Sequence, residues 1–152
     1  MWNVVFIGGK PYNLDLTWDD PIGEGVTQNK RYAYFNITDE EILKTHTFSD
    51  ASACCTATDS NYFVKLGRQF DGYNAETKTA LSNMFGGHKS GDKLDVRFSS
   101  EDAYQRAIDG LLKKEEIYRL LSIADAGKGG FSTTQINYIA DDTHCVIEFI
   151  LV

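Results

Sequence analysis

The side chains here that could serve as nucleophiles, bases or metal ligands are few: His46, His88 and His144, with Cys54, Cys55 and Cys145. They do not fall at the Cys-x-x-Cys or His-x-x-x-His spacing that wraps a metal ion, so no metal site is expected. Cys54 and Cys55 are sequence neighbours, which seldom suits a mutual disulfide, and small residues surround them; reduced, buried thiols are the expectation. His144 and Cys145 adjoin on an expected strand, would point to opposite faces, and so cannot form a nucleophile–base dyad with each other. What does cluster is carboxylate. Asp15, Asp19, Asp20 and Glu24 fall within ten residues, beside Tyr12, Trp18 and the turn-forming Pro21, Gly23 and Gly25. Acids set around an aromatic residue suit recognition of a basic macromolecule, because charge speeds the encounter and the ring anchors it. The expected partner-binding residues are therefore Asp15, Trp18, Asp19, Asp20 and Glu24.

Two glycine-rich loops contain lysine, Gly86–Gly91 and Gly127–Gly130. Each is expected to lead from a helix to a strand, the reverse of the order that aims backbone N–H groups at a phosphate, so neither reads as a nucleotide cradle. Farther along, Ser132-Thr133-Thr134 followed by a terminal strand with Glu148 resembles the Ser-Thr-Ser element and catalytic Glu of ADP-ribosyltransferases, and Tyr118-Arg119 is similar to their Tyr-Arg element. The resemblance implies an arginine on the dinucleotide phosphates and a carboxylate that stabilises the cation formed as nicotinamide leaves. Arg119, however, lies in an expected helix rather than on a strand. A small dinucleotide-using enzyme of this kind is the alternative reading, and it would require Arg119, Ser132 and Glu148 to share a pocket.

Charge separates the classes further. Against 22 Asp and Glu the chain has 15 Lys and Arg, a net of −7, and nine of the acids but only four of the bases occur up to Asp59. Direct nucleic-acid binding needs clustered cations and is disfavoured. The apolar runs Val4–Ile7 and Cys145–Val152 are far shorter than the roughly 20 residues a spanning helix needs. Trp2–Ile7 passes straight into Gly8-Gly9 without the basic and long apolar regions of a signal peptide, so a cytoplasmic location is expected. The composite expectation is a non-catalytic inhibitor or immunity-type protein without a cofactor, blocking a basic partner such as a toxin nuclease or another nucleic-acid-handling enzyme.

The elements that must carry these residues follow from periodicity. Leu14–Trp18 and Leu94–Phe98 alternate apolar and polar, as half-buried strands do, and Arg31–Ile37, Asn61–Leu66 and Gln135–Ala140 are expected strands of the same kind. In the first, Asp15 and Thr17 should face away from Leu14, Leu16 and Trp18, towards solvent. Trp2–Ile7 and His144–Val152 are apolar on both faces and are expected in the interior of one sheet. Thr38 with Glu41 forms a capping box, Asn74 caps a helix that stops at Gly86-Gly87, and Ser99 or Ser100 opens a long helical stretch to about Ala126. That stretch contains two apolar stripes out of phase, so a kink or a junction of two helices is expected between Gly110 and Lys114. The fold class is α+β: one compact domain of residues 1–152, with a mainly antiparallel or mixed sheet of six or seven strands, three or four helices, and both terminal strands in the sheet.

Overall fold

A computed structural model describes residues 2–19, 32–47 and 54–152, and its class is α+β as expected. The chain divides into two compact units, residues 1–68 and 69–152. The first holds a three-stranded sheet of order β1-β2-β3 and the second a four-stranded sheet of order β4-β5-β7-β6. The terminal strands are both in sheets, but in different ones, which corrects the expectation of a shared sheet.

In the first unit, β1 (Asn3–Ile7) and β2 (Lys10–Leu14) form an antiparallel hairpin. Gly8 and Gly9 both have positive φ, 58° and 79°, which is the turn whose twist matches a two-residue hairpin and which glycine adopts without strain. β1 is an edge strand, not the central one its two-sided apolar pattern suggested. The expected strand Leu14–Trp18 is also corrected. β2 ends at Leu14 and a helical turn, α1 (Leu16–Asp19), follows, because Asp15 Oδ1 accepts from the N–H groups of Thr17 and Trp18 at 3.0 and 3.2 Å and so caps that turn. Of the expected strand Arg31–Ile37, Arg31 lies outside the described residues and β3 covers Phe35–Ile37; α2 (Asp39–Ile42) starts where the capping box placed it, with Thr38 Oγ1 accepting from Glu41 N–H. Asn61–Leu66, expected as a strand, contains α3 (Tyr62–Lys65), since Asn61 Oδ1 captures the Phe63 N–H at 3.0 Å.

In the second unit, β4 (Gln69–Phe70) runs parallel to β5 (Lys93–Phe98), while β6 (Ile136–Asp141) and β7 (Val146–Leu151) are antiparallel neighbours. β7 is central, as its apolar run suggested. α4 (Ala75–Phe85) is capped by Asn74 and α5 (Glu101–Ala107) by Ser100. Leu94, Val96 and Phe98 of β5 and Ile147, Phe149 and Leu151 of β7 share one sheet face, and Leu81, Phe85, Tyr104, Leu111, Ile117 and Leu121 from the helices pack with them in one core. The junction expected near Gly110 is present. α5 passes into a π-helical segment, Ile108–Lys113, then breaks at Glu115, whose φ of 58° is left-handed, before α6 (Glu116–Asp125). Gly110 is required there: a methyl group on it would lie 2.2 Å from Cε1 of the Tyr73 ring. The wider turn of the π segment is how the two stripes of unequal phase both reach the core.

Candidate functional site

The carboxylates singled out by sequence lead into the first unit, where three of the five expected partner-binding residues are described; Asp20 and Glu24 lie outside the described residues. Asp15 and Asp19 are 1% and 3% exposed, so the expectation that they project to solvent is corrected. The cause is the helical turn. Instead of alternating faces, the chain turns at Asp15, both carboxylates fold back against Tyr34 and His46, and Trp18 is left 46% exposed.

Around them stands a hydrogen-bonded cluster. His46 Nε2 lies 3.2 Å from Asp15 Oδ2, and its Nδ1 lies 2.8 Å from Thr45 Oγ1, which in turn accepts from the Tyr34 hydroxyl at 3.1 Å. The imidazole is walled by aromatic rings: Trp18 at 4.6 Å between centroids, Trp2 at 5.1 Å and Tyr34 at 5.4 Å. Trp18 also meets Tyr34 edge-on at 5.3 Å. Asp19 Oδ1 accepts from the Tyr34 N–H at 2.8 Å, while its Oδ2 is buried without a hydrogen-bond partner among the described residues. Burial pushes the Asp19 carboxyl up to about 8, the neighbouring Asp15 adds to the rise, and the Tyr34 N–H opposes it. Sequence reasoning named His46 as a possible base but did not join it, Thr45 and Tyr34 to the carboxylates, because nothing in local spacing ties His46 to Asp15, 31 positions earlier, or Tyr34 to Asp19, 15 positions earlier. The one legible signal was Asp15 ahead of a short apolar stretch, which reads equally as a helix cap.

An Asp–His–hydroxyl relay has the parts of an activated nucleophile. Here the His46 side chain is only 8% exposed and both of its nitrogens are engaged, and both Asp15 oxygens already accept hydrogen bonds. What the cluster does physically is fix the exposed Trp18 ring against a polar, cross-linked base.

The second unit holds the other candidates. Arg119 is exposed on α6 and lines a groove of about 320 Å³ against α4, together with Lys78, Ser82, Leu120 and Ile123. Glu148 is on β7 opposite Asp95 of β5, on the sheet face away from the helices, and is 2% exposed. Ser132 precedes β6, bonded through its hydroxyl to the N–H groups of Thr134 and Gln135, and its own N–H reaches the Val152 carbonyl. The sheet therefore stands between Arg119 and Glu148, and the three residues are not brought together. Burial raises the Glu148 carboxyl above its ordinary range, with Lys93 opposing and Asp95 reinforcing, and Oε1 of Glu148 has no hydrogen-bond partner among the described residues. His144 and Cys145 precede β7 rather than alternating along it, and His144 Nδ1 lies 3.0 Å from Asp141 Oδ2.

A larger groove, about 570 Å³, runs along the π segment. Its cations are paired with its acids: Lys78 with Glu116 at 2.7 Å, Arg106 with Asp102 at 2.9 Å, and Lys114 with Asp109 at 3.1 Å. Lys78 foremost, then the Tyr73 hydroxyl, holds Glu116 below its ordinary range. Among the described residues no group of three or more His, Cys, Asp or Glu is placed to hold a metal ion, and no helix is long and apolar enough to cross a membrane. The chain matches no protein-family model and no curated protein.

Proposed function

We propose that this chain is a non-catalytic, cytoplasmic inhibitor or immunity-type protein, which binds and blocks a basic partner such as a toxin nuclease or another nucleic-acid-handling enzyme. The observation that carries this reading is Trp18: a large aromatic ring, 46% exposed, packed against His46 and Tyr34, on a chain of net charge −7. A preorganised tryptophan loses little freedom on binding and is the residue type most enriched among energetic anchors of interfaces. The field of an acidic chain raises the encounter rate with a cationic surface and keeps nucleic acid away. Asp20 and Glu24 follow the anchor in sequence and are the carboxylates assigned to that contact, whereas Asp15 and Asp19 support the anchor from beneath.

The division of labour sets the test. Trp18→Ala, Asp20→Lys and Glu24→Lys are made singly and together, and the wild-type and variant chains are used to retain proteins from extracts of the native host. The expected result is a basic nucleic-acid-handling protein that binds the wild type, is inhibited by it, binds the triple variant at least tenfold more weakly, and associates more slowly as salt is added. Retention unchanged in the triple variant, or a retained protein whose activity the wild type leaves intact, would refute the reading.

A further inference from the structure

The groove between α4 and α6 belongs to the second unit, every residue of which is described. The two helices run side by side in the same direction. Lys78 pairs with Glu116 at 2.7 Å and, four residues on in each helix, the Ser82 hydroxyl donates to the Leu120 carbonyl at 3.1 Å. Ser82 and Leu120, 5% and 6% exposed, form the floor. The walls repeat at helical spacing: Thr79 and Asn83 on α4, Arg119 and Ile123 on α6, all exposed. Ile123 is 59% exposed beside Arg119, so an apolar wall and a cation share one rim.

Charge decides what fits there. The groove shares Lys78 and Glu116 with the larger groove along the π segment, and together they are lined by five of the chain's 15 Lys and Arg but only three of its 22 Asp and Glu. On a chain of net −7 this is a locally cationic surface. Lys78, Arg106 and Lys114 each have a carboxylate within 3.1 Å, whereas Arg119 makes no ion pair among the described residues. The Thr79 hydroxyl is spent on the Ala75 carbonyl at 3.0 Å, as Ser82 is on Leu120, and Lys78 neutralises Glu116 at the far end. The unspent polar chemistry of the rim is thus dominated by a guanidinium fork, whose complement is a planar anion held by two parallel hydrogen bonds. A volume of about 320 Å³ suits a small molecule rather than a partner helix, which is about 10 Å across. We propose that the α4–α6 groove binds a small organic carboxylate with an apolar body of about six to ten carbons, its carboxylate on Arg119 and its body against Ile123 and Leu120. The site is independent of Trp18, which is in the first unit.

The test is titration of the full, isotope-labelled chain with octanoate, followed through amide chemical shifts. The expected result is saturable shifts confined to residues 75–83 and 116–123, with a Kd of about 1 mM or tighter. Acetate, which lacks the body, and octanol, which lacks the charge, should each bind at least tenfold more weakly. Arg119→Gln and Ile123→Ser change exposed side chains and should leave the thermal midpoint in place. The first should weaken octanoate at least tenfold and the second at least threefold. Absence of saturable shifts overturns the proposal, as do shifts scattered over the surface or octanol binding as tightly as octanoate. Octanoate binding unchanged by Arg119→Gln overturns it too, and so does an acidic amphipathic peptide that shifts these amides where octanoate does not. Should either variant fail to fold, the other decides alone.

Discussion

Asp19 offers the most quantitative check on the cluster beneath Trp18. Its carboxyl is buried, pushed up to about 8 by desolvation foremost and by Asp15, from an ordinary value of 3.8. The folded chain therefore keeps a proton there that the unfolded chain releases near pH 4, and stability contributed at low pH is lost as pH rises towards 8. At about 1.4 kcal/mol per pH unit the loss across that window comes to about 5 kcal/mol, an upper figure that local relaxation and water entry reduce. Asp19→Asn keeps the shape and the Oδ1 acceptor for the Tyr34 N–H but carries no charge at any pH. Its amide N–H groups inherit the position of Oδ2, which has no partner among the described residues, at a cost of about 1–3 kcal/mol. The two pH profiles should therefore cross, with the variant equal or weaker near pH 5 and about 2–4 kcal/mol more stable near pH 8. Trp2 and Trp18 are the tryptophans of the chain and both lie against His46, so fluorescence-detected urea unfolding at a series of pH values reads this unit directly. A shift in midpoint of about 1–2 M urea near pH 8 corresponds to that gain. Parallel pH profiles for wild type and variant, or a variant weaker than wild type near pH 8, would refute the account of Asp19 as a buried, protonated acid.

Gly110→Ala drives a methyl group to 2.2 Å from the Tyr73 ring and should cost about 1–3 kcal/mol in thermal or urea unfolding; in the double variant with Tyr73→Ala the two costs should be clearly less than additive. Asn61→Ala removes the α3 cap and the bond from Asn61 Nδ2 to the Phe35 carbonyl, and should cost about 1–2 kcal/mol by urea unfolding. Asp125 behaves oppositely to Asp19: N–H groups of Gly129 and Gly130 hold its carboxyl below the usual range, so the stability it contributes is present at neutral pH and lost as pH falls through its folded value. Asp125→Asn should therefore flatten the acid limb of the unfolding profile and speed amide exchange at Gly129 and Gly130.

The elements legible in the sequence are those fixed by local chemistry. Thr38, Asn74 and Ser100 cap helices where they were expected to, because a side-chain oxygen satisfies an adjacent backbone N–H whatever the rest of the fold does. The junction at Gly110 was legible for a related reason: a glycine between two stripes of different phase leaves a continuous regular helix unable to bury both. The failures occur where a short period is shared by two structures. Leu14–Trp18 alternates like a strand, but a single Asp at its second position suffices to start a helical turn, and Asn61 does the same for α3. β1 and β7 are both apolar on two faces, and composition does not distinguish a strand covered on both sides from an edge that leaves Phe6 in solvent. His46 was out of reach for another reason: its partners Asp15, Trp2 and Trp18 are contacts made by folding, with no trace in local spacing.

A misread turn propagates into electrostatics, and this bears on the proposed function. Net charge is a property of the sequence, but the field a partner meets comes from the carboxylates that reach solvent. Asp15, Asp19, Asp95 and Glu148 are buried, and at least Asp19 and Glu148 are driven towards the neutral form by that burial. The surface around Trp18 is thus less acidic than the local sequence suggests by both Asp15, spent on a helix cap and His46, and Asp19, spent on the Tyr34 N–H. In the proposed function, attraction of a basic partner accordingly rests on the geometry of one ring and on Asp20 and Glu24 rather than on the number of acids. Reversing charge at Asp19 would unfold the support of the anchor and mimic loss of a contact. Reversal at Asp20 and Glu24, with Asp19 left in place, separates attraction from architecture.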